Sequence, residues 1–554
     1  MSDMKEYIVT AFTMADADSL IEDMETPDGN LYIPARQVEI AQLRNISRNT
    51  HFLLTEEEAN LLRNDSRVET IELLPEERDI FPTPHWTQTG NFEKSSTIDT
   101  NDKNWGLYRV TAGLPLTNWG TNGTFTQTTQ TAITTSSGKN VDVIVVDGHV
   151  NPNHPEFKQN VDGTGSSRVN QIDWFTQYSA SLGYSYGGTY TYSTVLTNHG
   201  THVAGTVAGN TQGWARDATI YNIEFDARAV PTAPGGNWSV YIFDYIRAFH
   251  ASKPINPDTG KRNPTIVNNS WGYSSGTNGQ IFLSTITSVT YRGVTTAVTG
   301  TDANKKTILE ANGIPVPWGT YLYRTPVRVS AVDADILDAI NDGIIIIASA
   351  GNSFWNIATS DLSDYNNSFI SSGATYYHSR GSTPGSGNNV ITVGSVGTET
   401  SEYKSNFSNY GKRVDIWSPG SNITSSVYNS TAASEFGIIL ADDPRDSNYK
   451  LGSISGTSMA GPQVTGYLAC VAENLPRLTQ SEALSYLISV SKAQVGSSGG
   501  GTTDYTSLGS DSNNRYLCYI PIRPITGSVY PTTKYKSRPA SGSTYPRPRI
   551  RKYG

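Results

Sequence analysis

Three side chains in this sequence are of the types needed to turn a hydroxyl into a nucleophile. Ser458 lies in Ser455-Gly456-Thr457-Ser458-Met459-Ala460-Gly461-Pro462, between a glycine turn and the first turn of an apolar helix. His199 lies in Asn198-His199-Gly200-Thr201-His202-Val203-Ala204-Gly205-Thr206, and Asp147 closes the apolar run Val141-Asp142-Val143-Ile144-Val145-Val146. A serine hydroxyl at its ordinary pKa attacks poorly; an imidazole that takes its proton, held in turn by a buried carboxylate, makes it reactive. Singly, such residues are common in caps and loops. What distinguishes these three is that each falls where a strand or helix ends and a side chain can face a cleft.

The elements that must position them are legible from periodicity. Val141 to Val146, Thr219 to Phe225, Thr265 to Asn268, Ile344 to Ala348 and Val390 to Val396 read as strands that are apolar on both faces. Ser239 to Ala251 has helical spacing, and Ala334 to Asn341 is a helix closed by Gly343. Strands alternating with helices predict an α/β fold, a mainly parallel sheet with helices on both faces. In such sheets working residues collect beyond the carboxyl ends of strands, where Asp147, Ser270 and Asn352 fall.

The order Asp147, His199, Ser458 resembles that of the subtilisin-like serine proteases, the subtilases. Further segments carry the resemblance: Asn104-Trp105-Gly106-Leu107, His154-Pro155-Glu156-Phe157, Asn268-Asn269-Ser270-Trp271-Gly272, Ala348-Ser349-Ala350-Gly351-Asn352, Ser405-Asn406-Phe407-Ser408-Asn409-Tyr410-Gly411 and Trp417-Ser418-Pro419-Gly420. Together they cover about 104 to 490. The resemblance implies a serine endopeptidase that works through an acyl-enzyme. Ser458 is then the nucleophile, His199 the proton carrier and Asp147 its orienting carboxylate, with the Asn352 side chain in the oxyanion hole. Ser270, Trp271 and Gly272 would pair with an extended substrate, and Gly272, Ala350 and Gly351 would line the pocket before the cut. The chain departs from the family at Gly148-His149, after the aspartate, and at Gly461 and Gln463, after the serine. None of these removes a proton-transfer group. His202 lies three residues after His199, but no Glu or Cys set accompanies the pair, so its expected role is structural.

Residues 1–79 form a separate acidic unit, with seven basic against eighteen acidic residues. Tyr7 to Phe12, His51 to Leu54 and Val68 to Leu73 read as strands, and Asp16 to Met24 as a helix. A second helix opens on the capping box Thr55-Glu56-Glu57-Glu58. The unit resembles a subtilase propeptide, which implies an N-terminal segment that inhibits the cleft and is cut off by the enzyme itself, making the chain a zymogen. Residues 80–104 read as a linker and 105–522 as the peptidase domain, with surface insertions near 158–197 and 274–330 for which decoration is the simpler reading. Residues 523–554 form a Pro-, Tyr- and Arg-rich tail with eight basic residues and no acid.

The net charge of −9 over 554 residues and the acidic main body argue against nucleic acid as a partner, and no apolar run approaches bilayer-spanning length. A peptide or protein substrate is the expected partner. The start lacks the basic and apolar regions of a secretory signal, so synthesis in the cytoplasm is expected. Cys470 and Cys518 make no disulfide framework. No cofactor is required for the chemistry. The family resemblance allows structural calcium, but no Asp-x-Asp-x-Asp-Gly loop places it. A competing expectation is a virion structural or binding protein on a subtilase scaffold, since the tail and the few cysteines resemble subtilases encoded by marine tailed bacteriophages. A lipase-type esterase is disfavoured, because no Gly-x-Ser-x-Gly elbow surrounds Ser458.

Overall fold

The computed structural model describes residues 4–84 (apart from 28, 30, 33–38, 45 and 79), 104–113, 136–183, 190–192, 198–225, 238–397, 402–428, 439–496, 505 and 507–518. The basic tail expected from residue 523 lies outside the described residues.

A nine-stranded sheet forms the centre. Its strands run in the order Lys492–Ala493, Arg515–Tyr516, Ile416–Pro419, Ile391–Val396, Ile345–Ser349, Thr265–Asn269, Asp142–Asp147, Thr219–Glu224 and Val169–Asn170. All neighbours are parallel except the first pair. The strand Asp142–Asp147 alternates its burial between two cores: Val143 and Val145 pack on one face, Ile144 and Val146 on the other. The first core holds the helices Asn198–Ala208 and Thr457–Asn474; the second holds Ile242–Ser252 and Ser330–Asn341. This is the two-faced burial expected from continuous apolar strands.

The N-terminal unit is an antiparallel sheet in the order Glu39–Leu43, Asn49–Leu54, Lys5–Ala11, Val68–Leu73, with helices Met14–Glu25 and Glu56–Leu62. The capping box forms: Thr55 accepts from the Glu58 amide, and the Glu58 carboxylate accepts from the Thr55 amide at 2.8 Å. The strand Glu39–Leu43 has no counterpart in the sequence reading. It is short and carries an irregularity between Ile40 and Gln42, which breaks the period-two signal.

Two further sequence readings change. Residues 80–84, assigned to a linker, form a strand that pairs antiparallel with Trp271–Ser275. Residues 274–330 are no loose decoration. The strand Trp271–Phe282 pairs with Tyr321–Pro326, and Ile286–Tyr291 pairs with Val294–Ala297 and Ser368–Ser371. These strands and the helix Asp302–Ala311 close a separate core containing Ile281, Leu283, Val289, Leu309 and Leu322. Alternation is weak in sequence here, because Trp271–Phe282 is interrupted between Ser275 and Gln280 and the other strands are short.

Candidate active site

Asp147 is the last residue of a central strand, and Ser270 follows the end of the neighbouring strand, whose Asn269 pairs with Val146. Backbone extension therefore delivers both to the same edge of the sheet. His199 is in the first turn of Asn198–Ala208, whose approach to the Asp147 strand end needs Gly200. A Cβ there would sit 2.6 Å from the Gly148 carbonyl and 2.8 Å from that of His149.

His199 Nδ1 lies 2.7 Å from Asp147 Oδ1, which also accepts from the Gly148 amide at 2.7 Å. Asp147 is fully buried, and both of these contacts fall on its Oδ1. The helix carrying His199 packs directly on Thr457–Asn474, which carries Ser458 as its second residue. Ser458 Oγ donates to the Ser270 carbonyl at 3.1 Å, and Ser270 Oγ donates to the Ser458 carbonyl at 3.0 Å. That second bond follows from Pro462: lacking an N–H, it cannot serve the carbonyl four residues earlier, and Ser270 takes it over. The proline so ties the backbone at Ser458 to the strand expected to hold substrate.

Asn352 is oriented by Thr457, the residue preceding Ser458. Its Oδ1 accepts from the Thr457 amide at 2.8 Å and the Thr457 hydroxyl at 2.7 Å. Its Nδ2 is buried without a protein partner among the described residues. An amide whose oxygen is saturated and whose N–H₂ is left over is set up to donate to an incoming oxygen. The loop leading to it is clamped by Asn409. Asn409 Nδ2 donates to the Ala350 carbonyl at 2.8 Å, and its Oδ1 accepts from the Ser353 and Trp355 amides. Gly351 has φ 102°, and a Cβ there would lie 2.3 Å from Asn409 Nδ2. Sequence reasoning counted Asn409 only as a landmark and gave Thr457 no part. Thr457's position beside Ser458 was the available signal.

Ser270, Trp271 and Gly272 lead into a strand whose outer edge is filled by the chain itself: Trp271 pairs with Pro84, Gly272 with Thr83 and Tyr273 with Pro82. Two of the departures, Gln463 and His149, have local partners. Gln463 Oε1 accepts from Trp214 Nε1 at 2.6 Å, and its Nε2 donates to Asn104 Oδ1 at 2.9 Å, which ties the start of the peptidase body to the serine helix. His149 Nδ1 lies 3.1 Å from Glu224 Oε1, beside but separate from the Asp147–His199 pair. His202 Nε2 meets the Ile423 carbonyl at 2.8 Å; burial pushes its pKa down to about 3, the state of a neutral, structural ring.

Among the described residues, no three His, Cys, Asp or Glu side chains are grouped so as to hold a metal ion. Where backbone carbonyls converge, a lysine fills the space. Lys305 Nζ donates to the Leu283, Ser284 and Ile286 carbonyls, and Lys404 Nζ to those of Ser405, Ser408 and Tyr505. The buried Glu156 carboxylate accepts from Thr211, Gln212 and the Arg445 guanidinium.

The model of the subtilase family matches residues 138–512. An extracellular serine proteinase of Thermus sp. (strain Rt41A) is 26% identical over 292 residues, which is 52% of this chain and 45% of that protein. Alkaline protease 1 of Emericella nidulans is 25% identical over 336 residues, 60% of this chain and 52% of that one. This chain thus spans about half the length of the curated relatives it matches. Among solved structures, fervidolysin from Fervidobacterium pennivorans, a keratinolytic enzyme related to subtilisin, aligns with a TM-score of 0.47 at 16% identity, covering 93% of this chain and 60% of that one. A cold adapted subtilisin-like serine proteinase aligns with a TM-score of 0.42 at 20% identity, covering 76% of this chain and 98% of that one.

Proposed function

The chain belongs to the subtilase family, and from that premise we propose that it is a serine endopeptidase made as a self-inhibited zymogen. The observation that carries the reading is the contact of His199 with Asp147, beside a Ser458 bonded to the end of the next strand. In the proposed reaction, His199 Nε2 takes the Ser458 hydroxyl proton as Oγ attacks the scissile carbonyl carbon. The resulting oxyanion accepts from Asn352 Nδ2 and the Ser458 amide. Collapse expels the amine, which leaves with the proton held by His199, and an ester to Ser458 remains. Water, deprotonated by His199, then attacks that ester; collapse releases the new carboxyl terminus, and His199 returns the proton to Ser458 Oγ. Asp147 holds the ring in the tautomer that leaves Nε2 able to accept, and stabilises the imidazolium. Ser270, Trp271 and Gly272 would hold the substrate backbone, with Gly272, Ala350 and Gly351 around the side chain before the cut.

Support for self-inhibition comes from the strand Ile80–Pro84, which takes the edge of Trp271–Ser275 that a substrate strand would need. The N-terminal unit is anchored by charge as well. Arg44, buried, reaches Asp335 and, at 2.6 Å, Asp244. A fluorophosphonate probe tests the chemistry: processed protein should be labelled, and the Ser458→Ala variant should not. N-terminal sequencing tests the zymogen. Active protein that keeps residue 2 as its start after long incubation would remove that part of the reading.

A further inference from the structure

The strand that would hold substrate continues past the cleft into a face that the proposed function leaves unused. Ile80–Pro84 covers only Trp271–Ser275. After an irregularity spanning Gly276–Gly279, the strand resumes with Gln280 opposite Tyr323, Ile281 opposite Leu322 and Phe282 opposite Tyr321. Successive residues point to opposite faces. Ile281 and Leu322 are buried in the inserted core; Phe282, 50% exposed, and Tyr321 take the other side and meet edge to face at 6.2 Å. Trp318 stacks on Tyr321 at 5.9 Å and contacts Tyr323 at 5.2 Å and Phe354 at 5.5 Å.

The aromatic face joins the candidate site at both ends. At one end it is the same strand that begins at Trp271. At the other, Phe354 lies two residues after Asn352 and has φ 62°, a left-handed conformation costly for a bulky side chain. Among the described residues, Gln280–Phe282 is paired on one edge only, by Tyr321–Tyr323.

The direction of pairing identifies the occupant. Ile80–Pro84 runs antiparallel with Pro84 near Ser270 and Ile80 at Ser275, so residues farther towards the amino terminus of any strand bound this way head for Gln280 and Phe282. Ser275 faces Thr325 and Phe282 faces Tyr321, a separation of four residues along that strand and roughly 13 Å. In the chain itself the short helical turn Pro75–Arg78 precedes Ile80 and returns to the N-terminal unit. A cleaved polypeptide substrate has no such turn.

We infer that the aromatic face of Phe282, Trp318, Tyr321, Tyr323 and Phe354 is an extension of the substrate cleft, and that it binds the upstream part of a polypeptide substrate through aromatic or proline side chains. This rests on the peptidase reading of the same cleft. Flat aromatic surface favours such side chains because ring–ring contact adds to simple burial of area.

The test uses processed protein and two fluorogenic peptides with one cut site: a short one with five upstream residues, and one extended upstream by five more that include two aromatics. The extended peptide should show a kcat/KM about five- to tenfold higher, through KM. In Phe282→Ser, and separately in Trp318→Ser, the ratio should fall towards one. No advantage of the extended peptide in the wild type, or an advantage that survives both substitutions, overturns the inference. If neither peptide is cut and the fluorophosphonate does not label, the peptidase reading fails instead. Fluorescence anisotropy of the extended peptide then decides: weaker binding to both variants than to wild type retains the aromatic surface, and equal binding rejects it.

Discussion

In the central sheet, the strands that lead to Asp147, Ser270 and Asn352 are buried on both faces and paired on both edges by the peptidase body. In the three-stranded sheet beside it, Trp271–Phe282 is paired on one side by Tyr321–Pro326 and, over Trp271–Ser275, on the other by Ile80–Pro84, the segment that follows the N-terminal unit. One chain passes between these settings at Ser270. Where reacting groups must keep their distances, the structure uses strands that cannot leave. Where the proposed zymogen would have to open, the contact is an edge held by backbone hydrogen bonds, which an extended peptide could replace.

The sharpest way to break this contrast is at the buried sheet. Asp147→Asn keeps the shape but offers His199 an amide, favouring the wrong tautomer. A loss of kcat of about 10⁴-fold is expected, with little change in thermal stability. Steady-state kinetics on the processed protein checks it, and a loss under tenfold would mean that the Asp147–His199 contact does not serve the chemistry. Next in size is Asn352→Ala, with an expected loss of about 10²–10³ in kcat and little effect on KM, because its Nδ2 would act on the oxyanion and not on the ground state. A change confined to KM would place Asn352 in binding instead.

The same contrast explains what was legible in the sequence. Asp147 stands out because a buried strand imposes an apolar run that ends abruptly at it, and His199 and Ser458 because each sits in the first turn of a buried helix. The fold class followed from those runs. The edge sheet left weaker traces. Ile80-Phe81-Pro82-Thr83-Pro84 contains two prolines, which argue for a linker in a local reading; at a sheet edge a residue without an N–H is tolerated. Its pairing partner lies nearly two hundred residues away, and no local pattern encodes that register. Thr457's hold on Asn352 and Asn409's hold on the 350–355 loop are equally non-local. Cys470, on the helix that follows Ser458, is fully buried, and burial pushes its pKa up, away from reactive thiolate.

On the removable side, the anchoring charge is the next target. Arg44→Ala would leave Asp244 and Asp335 buried without their cation, and burial already raises the pKa of both. An uncompensated buried carboxylate costs about 3 kcal/mol or more, so the N-terminal unit should open roughly a hundredfold more often. Hydrogen exchange at the amides of Ile80–Pro84, measured in a Ser458→Ala background so that cleavage does not interfere, reads that opening. Unchanged protection would show that the strand pairing holds without the arginine.

The smallest expected effect is also the most specific to docking. His51 lies in the strand Asn49–Leu54 of the N-terminal unit, fully buried, with Nδ1 2.7 Å from Glu6 Oε1 and its ring stacked on Tyr241 of the peptidase body at 5.4 Å. Burial pushes its pKa down, and the nearby Arg44 adds to this against Glu6 and Asp244. Undocked, the ring would titrate near its ordinary ~6.5. A depressed pKa means that docking is favoured above that value and loses up to about tenfold per pH unit as pH falls below it. Asp244 and Asp335 act in the opposite sense: with pKa values raised by burial, they take up protons on docking and favour it on acidification, Asp244 through about pH 6. The wild type therefore balances a histidine against two carboxylates. His51→Gln removes one side of that balance. Exchange protection of Ile80–Pro84, corrected for the intrinsic rate, should be similar in variant and wild type at pH 7.5, and the variant should gain on the wild type, by at most about tenfold, as the pH falls to 5.5. A ratio that stays flat across that range would mean that His51 keeps its surroundings when the N-terminal unit lifts, and that the edge strand opens without the sheet behind it.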